Sequence, residues 1–274
     1  MSNFLSKIKH VIVKRHVYGW SSPLRVLPDL IVIGVVRSGT TSLYHYLSQH
    51  PSIIKSAYDE LGYFDSNYDL GLNWYKSLFP TIFEKKKVEE KNGKFITYDV
   101  TPFYIYNEKT PQRIHQILPN SKLIIILRNP VDRSYSNYFL GNREKKFEEI
   151  IANEKKILNK IDKNNIYEYY NFVHTSMLAR GFYAEQLENW YKIFSKDQIL
   201  IIKSEEFATE TNKIMNNIFD FLELPHYDIP DNSKKNKIHY EPMKKETRRE
   251  LIEYFRPYNE KLYSMINRNF DWEK

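Results

Sequence analysis

The chain of 274 residues contains no cysteine, and no apolar stretch in it approaches the roughly 20 residues needed to span a bilayer. The absence of cysteine excludes disulfides, thiolate catalysis and any cysteine-ligated zinc or iron–sulfur site. It suits a reducing compartment, and we expect a cytoplasmic protein. We expect no secretory leader either, because residues 1–17 lack an apolar core followed by a small-residue cleavage site.

The chain also lacks the features of a nucleic-acid-binding protein. Its net charge is +7, but lysine and arginine are spread along the sequence, with no dense basic arm and no DNA or RNA motif. The positive charge therefore predicts an anionic substrate and no nucleic-acid partner. The histidines show no metal-ligand spacing, and we predict no metal. Residues 1–17 allow two interpretations, a basic amphipathic helix in peripheral contact with a membrane or a terminal helix packed on the domain.

Short apolar segments alternate with helical patterns from residue 28 onward, and no linker or repeat interrupts them. The pattern predicts an α/β fold, a P-loop-like three-layer sandwich whose central parallel sheet is flanked by helices. We predict an N-terminal basic segment over 1–27 and one domain over 28–274. The predicted strands lie near 29–35, 95–99, 122–127 and 198–203, with an irregular segment over 55–72 and a charged turn from Glu84 to Gly93.

The first candidate site follows the first predicted strand. A loop bounded by Gly34 and Gly39 leads into a helix that begins at Thr40 or Thr41. Successive amides and a helix N-terminus at one point suit an anion, usually a phosphate. The glycines have the spacing of a nucleoside-triphosphate loop, but Thr40 stands where that motif requires lysine, and Arg37 is the only cation. This indicates a phosphate cradle that does not belong to an ATPase.

A second cation, Arg128, ends the apolar strand over 122–127. Ligands bind at the carboxyl ends of parallel strands, so Arg128 should share one crevice with the loop over 34–40. Its guanidinium suits a second phosphate, and Ser136 lies about two helical turns further on. The alternative is that Arg128 pairs with a carboxylate such as Asp132 and caps the helix that Pro130 begins.

One carboxylate stands out in an aromatic segment. Glu60 lies in the stretch 58–65, shortly after the first helix. Buried beside the crevice, it would have a raised pKa and could act as a general base. The alternative is a solvated surface residue.

Three ordered segments, 34–43, 60–65 and 127–136, closely resemble the sulfotransferase superfamily, above all its heparan-sulfate and carbohydrate branch and the bacterial relatives of that branch. The likeness covers nearly the whole chain from Pro28 onward. It implies transfer of a sulfuryl group from 3′-phosphoadenosine 5′-phosphosulfate (PAPS). The acceptor it implies is a hydroxyl or amine of a carbohydrate or glycolipid-like molecule, and no metal is needed.

The resemblance also assigns roles by position. Glu60 matches the catalytic base, and Arg128 with Ser136 matches the pair that binds the 3′-phosphate. Arg37 replaces the family's usual lysine, where it would bind the 5′-phosphosulfate and support catalysis through its charge. The basic loop over 234–240 aligns loosely with one that covers the nucleotide. The residues expected to hold the donor are Arg37, Ser38, Gly39, Thr40, Thr41, Ser42, Arg128, Ser136, Lys235 and Lys237.

Three departures from the family pattern leave alternatives open. Arg37 cannot donate a proton to the leaving group, because a guanidinium stays protonated. Asp59 replaces a lysine and Gly62 a histidine, so a partner of substrate or base could be missing. One alternative is a sulfotransferase-like binding protein that has lost catalysis. The other is a P-loop nucleotide kinase using ATP and magnesium, in which Asp99 at a strand end would bind the metal.

Overall fold

A computed structural model describes residues 19–140, 144–233 and 241–273. Within these ranges a single five-stranded sheet has the order β2-β3-β1-β4-β5, with every neighbouring pair parallel. The predicted α/β fold with a central parallel sheet is confirmed. The strands are β1 (Leu30–Gly34), β2 (Ile53–Lys55), β3 (Ile96–Val100), β4 (Lys122–Leu127) and β5 (Ile199–Lys203).

Helices connect the strands and cover both faces of the sheet. The α-helices of the described residues are α1 (Thr40–Leu47), α2 (Leu72–Lys76), α3 (Ile82–Asn92), α4 (Thr110–Ile117), α5 (Pro130–Tyr138), α6 (Phe147–Leu158), α7 (Ile166–Val173), α8 (Tyr183–Tyr191), α9 (Ser204–Thr209), α10 (Thr211–Phe221) and α11 (Lys245–Ile266). Short 3-10 helices span Gly19–Leu24, Tyr68–Leu70, Tyr104–Tyr106, Ala179–Gly181 and Lys196–Gln198. No helix of the described ranges has both the length and the apolar character to cross a membrane.

The central strand β1 shows why the sheet is buried on both faces. Successive side chains of a strand point to opposite faces, so an unbroken apolar run requires a hydrophobic core on each side. In β1, Ile31 belongs to one core and Val32 to the other. Helices α8 and α11 contribute Trp190 and Phe255 to the first core, and α10 contributes Phe219 to the second. This alternation produces the three-layer arrangement.

The predicted turn from Glu84 to Gly93 is wrong, because residues 84–92 lie in α3 and Gly93 ends that helix. Thr81 Oγ1 accepts a hydrogen bond from the Glu84 amide, and the Glu84 carboxylate accepts one from the Thr81 amide. This capping box starts the helix. Ion pairs four residues apart, such as Lys85–Glu89, then follow along the exposed face. The high charge of the segment therefore marks an exposed helix and not a turn.

Two further boundaries differ from the prediction. No strand was predicted at β2, which lies just before the expected irregular segment over 55–72 and whose three residues are too few for a clear alternation to show in the sequence. The sequence pattern also predicts a helix from about residue 131 to 145, and in the structure α5 ends at Tyr138. Of the expected N-terminal segment over 1–27, residues 1–18 lie outside the described residues, and its boundary with the domain stays a prediction.

Candidate active site

The loop after β1 is held from several sides. The Val35 amide donates to the Ile126 carbonyl of β4 at 3.0 Å, and Ser38 Oγ donates to the Val35 carbonyl at 2.5 Å. Ser204 Oγ, at the start of α9, donates to the Ser38 carbonyl at 2.7 Å. Gly39 has φ 103°, which a side chain would strain, and as the N-cap of α1 it offers no side chain to the helix amides. The first amides of a helix have no intrahelical partner, so this end of α1 suits an anion.

The predicted cations meet at this loop. Arg37 Nε donates to Ser136 Oγ at 3.0 Å, and Arg128 Nη1 donates to the Arg37 carbonyl at 2.9 Å. Arg37 has φ 71°, an uncommon conformation for a residue with a side chain. Three residues assigned to the two phosphate groups of the donor thus form one hydrogen-bonded cluster.

The alternative in which Arg128 pairs with Asp132 is wrong. The Asp132 carboxylate accepts from Arg248 of α11, and Asn129 caps α5 by accepting from the Val131 amide at 3.0 Å. No carboxylate in the described ranges lies within ion-pair distance of Arg128. Tyr183 OH donates to the Arg128 carbonyl at 2.8 Å and fixes the backbone there. Arg128 therefore keeps its positive charge at the carboxyl edge of the sheet.

Glu60 lies at the carboxyl end of β3, the strand next to β1. Its amide donates to the Val100 carbonyl at 2.8 Å, and its φ is 56°. The residue is exposed, as in the alternative of a surface residue. Its pKa is nevertheless raised from the ordinary value, first by partial desolvation and then by the negative charges of Asp59 and Asp65. A raised pKa suits a general base, and the exposure leaves room for an acceptor.

Gly62 shows that one departure from the family pattern is part of the loop's conformation. Its φ is 61°, and an added Cβ would lie 3.1 Å from Ser66 Oγ and 3.2 Å from both Asn67 Nδ2 and Asp65 Oδ1. A histidine here would therefore strain and crowd the loop. The Gly62 amide instead donates to Thr101 Oγ1 at 3.2 Å.

A fully buried carboxylate lies behind this loop. Asp99 accepts hydrogen bonds from Thr101 Oγ1 at 2.8 Å, Tyr104 OH at 2.9 Å and Tyr75 OH at 3.0 Å. Burial raises the pKa of Asp99 to about 6, although the three hydroxyls oppose the rise. The sequence suggested Asp99 as a kinase's metal ligand. In the described ranges no group of three or more acidic, histidine or cysteine residues could hold a metal.

Several residues of the site are not among those predicted from the sequence. Ser204 follows the end of β5, so the rule that sites form at carboxyl ends of parallel strands could have indicated it. Tyr183 lies on α8, and only the folded chain brings it to Arg128. Lys235 and Lys237, expected to cover the nucleotide, lie outside the described residues.

Comparison with known proteins gives a consistent result. The sulfotransferase domain family matches residues 27–261. The membrane-associated sulfotransferase kil1 of Dictyostelium discoideum is 30% identical, over 91% of this chain and 67% of that protein. Heparan sulfate glucosamine 3-O-sulfotransferase 5 of Mus musculus is 29% identical, over 90% of this chain and 74% of that protein. A crystal structure of a sulfotransferase from Alicyclobacillus acidocaldarius superimposes with a TM-score of 0.68 at 27% identity, covering 91% of this chain and all of that one.

Asp99 should make stability depend on pH in the direction opposite to an ion-paired carboxylate. Its native pKa of about 6 exceeds the ordinary 3.8, so its contribution is full below pH 3.8 and is lost as pH rises through 6. We expect Asp99→Asn to remove this dependence. Between pH 4 and pH 7.5 the free energy of unfolding should shift by about 2–3 kcal/mol in favour of the variant, relative to the unsubstituted protein. Urea unfolding at both pH values measures this, and a constant difference would contradict the raised pKa.

Proposed function

The chain belongs to the sulfotransferase domain family and is a PAPS-dependent enzyme, and we propose that it sulfates a hydroxyl or amine of a carbohydrate or glycolipid-like acceptor. The observation that carries the proposed site is the cluster of Arg37, Ser136 and Arg128 at the loop after β1. Two cations and a helix N-terminus at one sheet edge match a nucleotide with two separate anionic groups. The family assignment contradicts the nucleotide kinase.

The donor fits the residues present. We propose that the backbone of residues 37–42 holds the 5′-phosphosulfate, and that Arg128 and Ser136 hold the 3′-phosphate. Neither group requires a metal, because Arg37 supplies positive charge at the first and Arg128 at the second. Lys235 and Lys237 complete the proposed set from the loop over 234–240.

In the proposed reaction, the acceptor oxygen or nitrogen attacks sulfur while Glu60 takes its proton. The bond between sulfur and the oxygen of the 5′-phosphate breaks, and negative charge grows on that oxygen. Arg37 and the loop amides stabilise this charge more in the transition state than in the ground state. Arg37 acts through its charge alone, so the leaving phosphate departs without protonation from this residue.

The carbohydrate class of the acceptor is supported by the relatives whose names specify heparan sulfate, at 29% identity over most of this chain. Acceptor contacts in such folds come from variable loops, which makes a direct assay the right test. Labelled PAPS can be offered with unsulfated glucosamine–uronic acid oligosaccharides, glycolipids, phenols and hydroxysteroids. Label on the first two classes supports the proposal, and label only on phenols or steroids contradicts it.

Arg128→Ala should separate the two anionic groups of the nucleotide. We expect it to weaken binding of adenosine 3′,5′-bisphosphate by roughly 1.5–3 kcal/mol, because one charge-assisted hydrogen bond is lost. Binding of adenosine 5′-phosphosulfate, which lacks the 3′-phosphate, should weaken less, because only the hydrogen bond from Arg128 to the Arg37 carbonyl is lost there. Calorimetry in the presence of a chelator measures both. Equal weakening for the two nucleotides would mean that Arg128 acts only by holding the Arg37 carbonyl.

Glu60→Gln should lower turnover by roughly 10²–10⁴-fold, which is what a positioned general base contributes. The change keeps the shape of the side chain and removes its basicity. Donor affinity should stay nearly constant, because the proposed role of Glu60 concerns the acceptor.

Asp59→Asn provides the matched control for Glu60, since it neutralises the neighbouring carboxylate. It should retain turnover at neutral pH and shift the acid limb of the pH profile to lower pH, because Asp59 raises the pKa of Glu60. Turnover that survives in Glu60→Gln would assign the base to another residue. Collapse of donor binding would make Glu60 a structural residue.

We also propose that the protein works in the cytoplasm at a membrane surface. Trp20 is 90% exposed and Phe83 65% exposed, and the bridge between Arg25 and Thr81 brings their segments together. Tryptophan favours the membrane interface, and phenylalanine is typical of the apolar face of helices that lie in it. A relative at 30% identity is named as membrane-associated. The expected contact through residues 1–17 would lie next to Trp20 in the chain.

The double variant Trp20→Ser with Phe83→Ser should therefore bind anionic vesicles at least about tenfold more weakly, since burial of each such side chain contributes roughly 1.5–3 kcal/mol. Tyr167→Ser is the control, because Tyr167 is 74% exposed on another helix. Co-sedimentation with phosphatidylserine vesicles measures the three proteins. Equal loss in the control, or none in the double variant, would count against a membrane-binding patch.

A further inference from the structure

The loop that carries Glu60 is attached to the protein interior by two hydroxyl groups. Thr101 Oγ1 accepts from the Gly62 amide at 3.2 Å, and Tyr104 OH accepts from the Phe64 amide at 3.3 Å. These amides lie two and four residues after Glu60. Each of the two hydroxyls therefore connects the loop backbone to Asp99, to which it donates its own proton.

The charge of Asp99 determines the direction of these hydrogen bonds. An ionised carboxylate only accepts, and a hydroxyl has one proton to donate. Because Thr101 and Tyr104 donate that proton to Asp99, their oxygens present lone pairs to the loop. An amide N–H is the group that such a lone pair binds. If a hydrogen-bond donor replaced Asp99, the two hydroxyls would accept from it. Their own protons would then point toward the Gly62 and Phe64 amides.

The third hydroxyl on Asp99 provides an internal comparison. Tyr75 OH donates to the same carboxylate at 3.0 Å but makes no hydrogen bond to the loop backbone among the described residues. Its ring stacks on Tyr63 with centroids 4.4 Å apart. Removing this hydroxyl leaves the stacking and both amide connections in place, and it costs Asp99 one donor like the other two.

We propose that Asp99 is a positioning residue, which acts through Thr101 and Tyr104 to set the place of the Glu60 loop relative to the donor site. This inference rests on the proposed role of Glu60 as the base. A base must lie within hydrogen-bond reach of the proton it removes, and small displacements are costly. The buried network supplies that precision to a residue whose own side chain is exposed.

Three hydroxyl deletions, Thr101→Val, Tyr104→Phe and Tyr75→Phe, test the network independently of the reaction. Hydrogen–deuterium exchange of peptides spanning residues 60–66 should be roughly 2- to 10-fold faster in the first two variants, as expected for loss of one neutral hydrogen bond. Exchange in Tyr75→Phe should match the unsubstituted protein. Equal acceleration in all three variants would overturn the proposal and make Asp99 merely a satisfied buried group.

Turnover tests the catalytic part with labelled PAPS and the oligosaccharide acceptor. Thr101→Val and Tyr104→Phe should lower kcat about tenfold with an unchanged KM for PAPS, Tyr75→Phe should keep the original kcat, and Thr101→Ser should restore it. Faster hydrogen–deuterium exchange with unchanged kcat in Thr101→Val and Tyr104→Phe would overturn the positioning role. Full turnover in Glu60→Gln would instead refute the proposed base, and the exchange experiment would still decide whether Asp99 holds the loop.

Discussion

The parallel pairing of β1 with β3 on one side and β4 on the other is the constraint on which the rest of the structure depends. It places the carboxyl ends of three strands at one edge, where chain segments far apart in sequence meet. The loop after β1, Arg128 after β4 and the Glu60 loop beside β3 all lie at this edge. Because both faces of the sheet are buried, the strands have no freedom to slip in register.

Local sequence patterns predicted those parts of the fold that depend on local chemistry. The apolar runs of β1 and β4 are long enough to indicate buried strands, and the glycines at 34 and 39 indicate the turn between β1 and α1. The charged helix α3 is hard to predict although Thr81 and Glu84 have capping-box spacing, because a run of charged residues is typical of turns as well as of exposed helices. The short strand β2 depends on its pairing with β3, which a local pattern does not contain.

The parts of the site that could be predicted are those that follow from the type of a single residue and its position in the sequence. Arg37, Arg128 and Ser136 could be named from cations and hydroxyls at strand ends and from the family likeness. Their mutual hydrogen bonds could not, since Ser136 meets Arg37 across 99 positions of the chain. The three hydroxyls around Asp99 come from one helix, one strand end and one 3-10 helix, and only the tertiary structure brings them together.

The hydrogen bond from Arg128 to the Arg37 carbonyl ties together the two anion positions of the proposed donor site. The guanidinium that would hold the 3′-phosphate also holds the backbone that would hold the 5′-phosphosulfate, so the gap between them is fixed. Such a site would recognise a nucleotide by the distance between its two anionic groups. A 5′-triphosphate carries all of its phosphates on one side of the ribose, so it would occupy only one of the two anion positions. A preference for PAPS over ATP would then follow from the spacing of the anionic groups and would need no contact with the adenine ring.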